Sequence, residues 1–186
     1  IIMGSIIKVN EYKDFNNNAI MTSDGSGNVT INAAALKMTP GFHAFLSANQ
    51  ESLSDNTAVK MQCNTEVYDV TGVYDNSTNY RFTPGVAGRY YIYGGALTTA
   101  DSNSNMVESE IYIYKNGSTI GKATWNYTSN YSKLATPTIM IVDDANTTDY
   151  YELYSAVNTN NSGAWKAIGD TTQQRTYFGA YRIIGA

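Results

Sequence analysis

An all-β sandwich of antiparallel strands is the fold class this sequence predicts, and three observations predict it. Short segments of alternating apolar and polar residues follow one another at regular spacing, turn-forming residues separate them, and an amphipathic helical period is almost absent. The clearest segment is Pro84-Gly85-Val86-Ala87-Gly88-Arg89-Tyr90-Tyr91-Ile92-Tyr93-Gly94-Gly95. Proline presets one turn angle and glycine reaches backbone angles that strain other residues, so a turn runs straight into an aromatic, β-branched strand. Composition agrees: of 186 residues 16 are Tyr and 15 Gly, and charged residues make up 15%, against about 25% in an average soluble domain. Neutral Asn, Ser, Thr and Tyr therefore keep the surface wet, a style that suits extracellular or particle-surface proteins.

Residues 1–41 read as a separate arm. Ile7-Lys8-Val9-Asn10 alternates as a short strand, and Ala19–Ser23 and Asn28–Asn32 flank Asp24-Gly25-Ser26-Gly27, a β-hairpin with a glycine loop. An isolated hairpin is marginal in water, so this arm is expected to pack on another copy, on the main domain or on a larger particle. Ala33–Met38 can form one or two helical turns before Pro40-Gly41 stops them. Residues 42–186 then supply a head of eight to ten strands: Ala44–Ala48, Ala58–Asn64, Val67–Tyr74, Tyr80–Phe82, Gly88–Leu97, Glu108–Tyr114, Ser118–Asn126, Pro137–Val142, Tyr150–Val157 and Tyr177–Ile184.

Several function classes are disfavoured by composition. A net charge of −4, with Lys and Arg scattered singly, provides no footprint for nucleic acid. No apolar run approaches the ~20 residues of a membrane span, so no membrane insertion is expected. Ile1-Ile2-Met3-Gly4-Ser5 lacks the basic and continuous apolar regions of a secretory signal. The lone Cys63 rules out an internal disulfide framework and reads as a small buried hydrophobe.

In order along the head stand Ala44-Phe45-Leu46-Ser47-Ala48, Tyr68-Asp69 with Gly72-Val73-Tyr74, Phe82 with Pro84-Gly85, Gly88, Tyr90 and Tyr93, then Tyr114-Lys115-Asn116-Gly117 and Tyr177-Phe178-Gly179. In these residues and their order the head resembles the C1q/tumour-necrosis-factor-like jelly roll. That resemblance implies two antiparallel sheets and a homotrimer with the last strand near the threefold axis. The residues give their own reason to expect assembly. Tyr177, Gly179 and Tyr181 lie on one face of the closing strand and Phe178, Ala180 and Arg182 on the other, so one aromatic face can meet the core and the other a neighbour. Burial of both faces within one subunit is the alternative. Ile6–Asn10 followed by Met21–Thr30 resembles the start of small fibre-like bacteriophage virion proteins. The chain has no collagen-like Gly-X-Y stalk, which turns the expectation from an animal secreted ligand towards a particle-borne trimer.

Chemistry has few places to reside. His43 is the sole histidine and stands beside the Pro40-Gly41 joint, so a surface or interface role is expected rather than that of a catalytic base. One His and one Cys cannot build a transition-metal site. Calcium takes oxygen ligands, and Asp143, Asp144 and Asp101 in their Asn-rich loops are the candidates, although Asp and Asn also populate turns for backbone reasons alone. No cofactor is otherwise expected. Glu108, Glu110 and Glu152 sit on strands where a glycosidase-like pair can meet, or where they merely form a solvent face. The sequons at Asn76, Asn116, Asn126 and Asn146 are expected by chance in a chain this rich in Asn and Thr. Trp125, Tyr127, Tyr131 and Trp165 near polar loops can stack on sugars or fill a partner's pocket, with core or intersubunit packing as the simpler expectation.

The sequence thus leads to a non-enzymatic homotrimer on the virion surface of a bacteriophage, as capsid decoration, head fibre or tail-fibre component. Residues 1–41 dock it to a capsid or tail protein, and the head holds weakly to a host surface glycan. A free soluble recognition module is the alternative, and a polysaccharide depolymerase the third reading.

Overall fold

The computed structural model describes residues 9–32, 38–101, 103–127 and 133–183. Among them the chain forms strands and turns with no helix; Ala33–Lys37, expected to turn helically, lie outside the described residues. Strands β1 (Glu11–Lys13), β2 (Ala19–Ser23) and β3 (Val29–Ile31) make a small antiparallel sheet from the arm. Its loops are tied by side chains: Asp24 accepts the N–H groups of Ser26 and Asn28 at 2.7 and 3.2 Å, while Gly25 and Gly27 take φ of 78° and 93°. The first strand among the described residues is Glu11–Lys13; of the expected strand Ile7–Asn10, Ile7 and Lys8 lie outside the described residues.

Two sheets of the head follow the sandwich expectation. The first runs in the order β15 (Thr138–Ala145), β10 (Gly88–Gly95), β18 (Tyr177–Arg182), β4 (Gly41–Phe45), β7 (Thr65–Val70). The second runs β13 (Ser118–Asn126), β12 (Met106–Lys115), β16 (Tyr151–Thr159), β9 (Arg81–Phe82), β8 (Tyr74–Asp75), with β6 (Val59–Lys60) also paired to β16. Asn116 and Gly117 join β12 to β13 with φ of 52° and 80°, the two positive angles that a tight hairpin turn requires.

The core lies between these sheets. Phe42 stacks on Tyr74 at 4.3 Å and on Phe82 at 5.0 Å, and meets Phe178 edge-on at 5.1 Å. Tyr90, Ile92, Ile111, Ile113, Tyr151 and Leu153 continue the buried layer. Every second residue of a strand points inward, so Tyr90 and Ile92 are buried while Tyr91 and Tyr93 point out.

A third sheet was not visible in the alternation. It runs β14 (Leu134–Ala135), β11 (Thr98–Ala100), β17 (Trp165–Ala167), β5 (Gln50–Leu53). Strand β10 ends at Gly95 rather than at Leu97, and the chain leaves the first sheet to begin β11 in another. The expected strand Val67–Tyr74 is also two: Thr71 and Gly72 turn with φ of 82° and 67°, and the Asp69 carboxylate accepts the N–H groups of Val73 and Tyr74 at 2.9 and 3.0 Å. Of Ala58–Asn64 only Val59–Lys60 pairs, and the expected Ala44–Ala48 strand begins instead at Gly41.

Close packing beside the third sheet makes one testable point. A Cβ at Gly169 would lie 2.2 Å from the Ala48 carbonyl oxygen. Gly169→Ala is therefore expected to cost about 1–3 kcal/mol, read as a lower urea midpoint; an unchanged midpoint would show that the two backbones part freely.

Candidate functional site

The outward face of the first sheet is aromatic across its middle strands and flanked by aliphatic residues at its edges. Strand register places Val142, Tyr91, Tyr181, Gly41 and Val70 in one row across the five strands. The next row holds Met140, Tyr93, Gly179, His43 and Tyr68. Directly opposed residues share a face, so these side chains form one surface. Tyr91 lies 5.3 Å from Tyr181 and 5.8 Å from Tyr93, ring centre to ring centre. Gly179 makes the arrangement possible: a Cβ there would sit 2.4 Å from the Tyr93 ring, so the absent side chain lets that ring lie across the strand. Met140 remains 62% exposed and Val142 55%, an unusual amount of bare apolar surface for one sheet face. Tyr91, Tyr93, Gly94, Met140, Tyr177 and Tyr181 are among the residues that line a groove of about 280 Å³ here.

His43 stands at the centre. Its Nδ1 is 3.0 Å from the Tyr93 hydroxyl and its Nε2 3.1 Å from the Gln174 side-chain amide oxygen Oε1. Nε2 therefore carries the proton and donates to Gln174, leaving Nδ1 to accept from Tyr93. The rings of Tyr93 and Tyr177 each lie 5.8 Å away at shallow angles. Burial lowers the imidazole's affinity for a proton, offset in part by the Gln174 hydrogen bond. Burial likewise pushes the Tyr93 hydroxyl up.

The three residues expected at an interface, Tyr177, Gly179 and Tyr181, all belong to this face. Sequence reasoning did not extend the face to Tyr91, Tyr93, Met140, Val142 and Tyr68, although the alternation of β10 carries the signal: Arg89, Tyr91 and Tyr93 share one side.

The other candidate residues separate. Trp165 is corrected outright: it is wholly buried, with its indole N–H donating to the Ser54 carbonyl at 2.9 Å, so it offers no ring to a partner. Tyr127 packs against the core and its hydroxyl donates to the Leu134 carbonyl. Trp125 is 55% exposed, with Leu134 exposed too. Tyr131 lies outside the described residues.

Asp143 and Asp144, successive residues on a strand, point to opposite sides and take different cations. Asp143 accepts from Lys115 at 2.7 Å and from the Tyr151 hydroxyl at 2.6 Å, while Asp144 holds Arg89 at 2.8 and 3.0 Å. Asp101 lines a separate polar groove with Asn103, Ser104 and Asn161. Among the described residues no three His, Cys, Asp or Glu side chains gather as a metal site.

Two of the three candidate acid residues are paired with cations. Glu152, nearly buried on the outer face of the second sheet, meets Lys60 at 2.6 Å and Arg81 at 3.1 Å. Glu110 takes Lys122 and the Tyr112 hydroxyl. Burial works to raise the Glu110 carboxyl, yet these partners outweigh it and the balance falls low; Glu108 is raised by burial and by Glu110 beside it.

No protein-family model matches the chain, and no curated protein matches its sequence. Solved structures do match, and they define the class: an antiparallel jelly roll of the tumour-necrosis-factor and C1q kind. Eiger TNF of S. frugiperda superposes with a TM-score of 0.57 at 7% identity, covering 78% of this chain and 93% of that one. Murine APRIL gives 0.55 at 11% identity over 77% and 98%, and the globular domain of zebrafish complement 1qA gives 0.53 at 12% over 78% and 98%. At such identities the likeness is one of fold.

Proposed function

We propose that the chain is a non-enzymatic surface subunit of a bacteriophage particle, working as a homotrimer. The observation that carries the trimer is the aromatic face of the first sheet, where Tyr91, Tyr93, Tyr177, Tyr181 and Met140 leave a groove open in the single copy. Covering such a face removes apolar surface from water at about 25 cal/mol per Å². Three copies around an axis supply a cover of matching chemistry. The particle-borne role draws on the resemblance of residues 6–30 to fibre-like virion proteins. It draws also on the arm sheet, which leaves Val9, Tyr12, Phe15 and Val29 exposed and serves in this reading as the docking element for a capsid or tail protein.

In this arrangement the head projects from the particle. Trp125 is the exposed aromatic contact offered to a host surface glycan, and three weak sites on a rigid trimer gain strength by multivalency. Deleting residues 1–37, which leaves β4 whole from Gly41, is expected to abolish incorporation, read by mass spectrometry of purified particles, while the head still folds. A truncated chain that incorporates normally overturns the docking role. The jelly-roll likeness to Eiger TNF, APRIL and complement 1qA favours a second reading, a free recognition module; absence of the full-length chain from purified particles would select it.

A further inference from the structure

We propose that His43 makes the association of copies through the aromatic face acid-sensitive, the copies holding together around a neutral imidazole and parting when it takes a proton. The inference rests on the reading that copies meet through this face. His43 lies in the middle row, between Gly179 and Tyr68, where a covering neighbour seals it from water.

Every group that faces the ring accommodates its neutral form. From β10 the Tyr93 hydroxyl donates to Nδ1, and from the loop before β18 the Gln174 side-chain amide oxygen accepts from Nε2. From β18 Tyr177, and from β7 Tyr68, present rings at 5.8 and 6.5 Å. A second proton at Nδ1 turns an acceptor into a donor, and the Tyr93 hydroxyl must then rotate to receive it.

Among the described residues no side-chain carboxylate compensates the charge. On β7, Asp69 is engaged by the N–H groups of Val73 and Tyr74, and Glu66 stands opposite Ala44, in a row that belongs to the other face. In the loop before β18, Asp170 is paired with Arg175 at 3.3 Å. The ring contacts with Tyr68, Tyr93 and Tyr177 exist in the single copy already, so they do not distinguish free from assembled chains. Loss of water does.

The sign follows from linkage. Burial already holds the imidazole below its ordinary value in the single copy, and a covering neighbour lowers it further. A group depressed in the assembled state contributes stability above its free value and withdraws it as the pH falls. With one histidine per copy, the association constant of a trimer can fall by up to about a thousandfold per pH unit.

Light scattering of the full chain at pH 7.5 and 5.5 tests this, with His43→Gln and His43→Phe as non-titrating variants. Wild type is expected to show the mass of three chains at pH 7.5 and to fall towards one at pH 5.5, while a variant that assembles keeps three at both. A wild type that stays trimeric at both values, or assembled variants that dissociate alongside it, overturns the proposal and leaves the assembly reading intact. A single chain at both values overturns the assembly reading and this inference with it. Loss of the β signal in circular dichroism at pH 5.5 also counts against it, because the chain then unfolds rather than the face separating.

Discussion

Replacing Phe42 by alanine is expected to cost the head about 3–5 kcal/mol. The ring is fully buried and touches both sheets: β8 through Tyr74, β9 through Phe82 and its own sheet through Phe178. Removing it deletes three aromatic contacts at once and leaves a cavity that rigid neighbouring rings cannot collapse to fill. Natural domains hold only about 5–15 kcal/mol in total, so the loss is a large share of the margin. Equilibrium urea denaturation of the full chain measures it directly. A loss below about 1 kcal/mol would mean that the sheets close over the gap.

In the trimer proposed above, Tyr181→Glu is expected to convert the assembly to single chains without unfolding them. Tyr181 is only half-buried in one copy, and its ring rests on Tyr91 and Tyr93 rather than in the core. A carboxylate there stays in water on a free chain but is stranded in an apolar interface on assembly, at about 3–5 kcal/mol per uncompensated charge. Analytical ultracentrifugation at neutral pH should report one chain, with an unchanged circular dichroism spectrum. A variant that sediments like the wild-type assembly would remove this face from the interface.

The two substituted positions lie on opposite faces of one sheet: Phe42 stands opposite Ala180, and Tyr181 is the next residue along β18. Phe178 and Tyr181 are three residues apart on β18, yet one fills the core and the other points out with Tyr177 and Gly179. That distinction was legible in the sequence because the side-chain period of a strand is two. Ala19–Ser23 and Ser118–Asn126 were legible for a related reason, since glycine-bearing turns bound each on one side. The third sheet was not. Gln50–Leu53 and Trp165–Ala167 are too short to display a period, and their pairing joins segments more than a hundred residues apart. Trp165 illustrates the consequence: among polar neighbours in the chain it reads as a surface ring, while in space it is enclosed.

The candidate site divides along the same line. Its closing strand could be read directly, whereas the breadth of the aromatic face depends on which strands lie beside which. Nothing local states that Met140, Tyr93, Gly179, His43 and Tyr68 form one row. Tertiary hydrogen bonding brought these separate segments into register. His43 changed most in meaning, from a histidine near a proline joint to the central polar group of an apolar face.

By itself the sequence determined an all-β chain and the outward aromatics of the last strand. Those are consequences of local alternation and turn chemistry, which the order of residues contains in full. Only the tertiary structure decided the third sheet, the burial of Trp165 and the continuity of the aromatic face. Each of these rests on contacts between distant segments, and their free energy arises only when the sheets close.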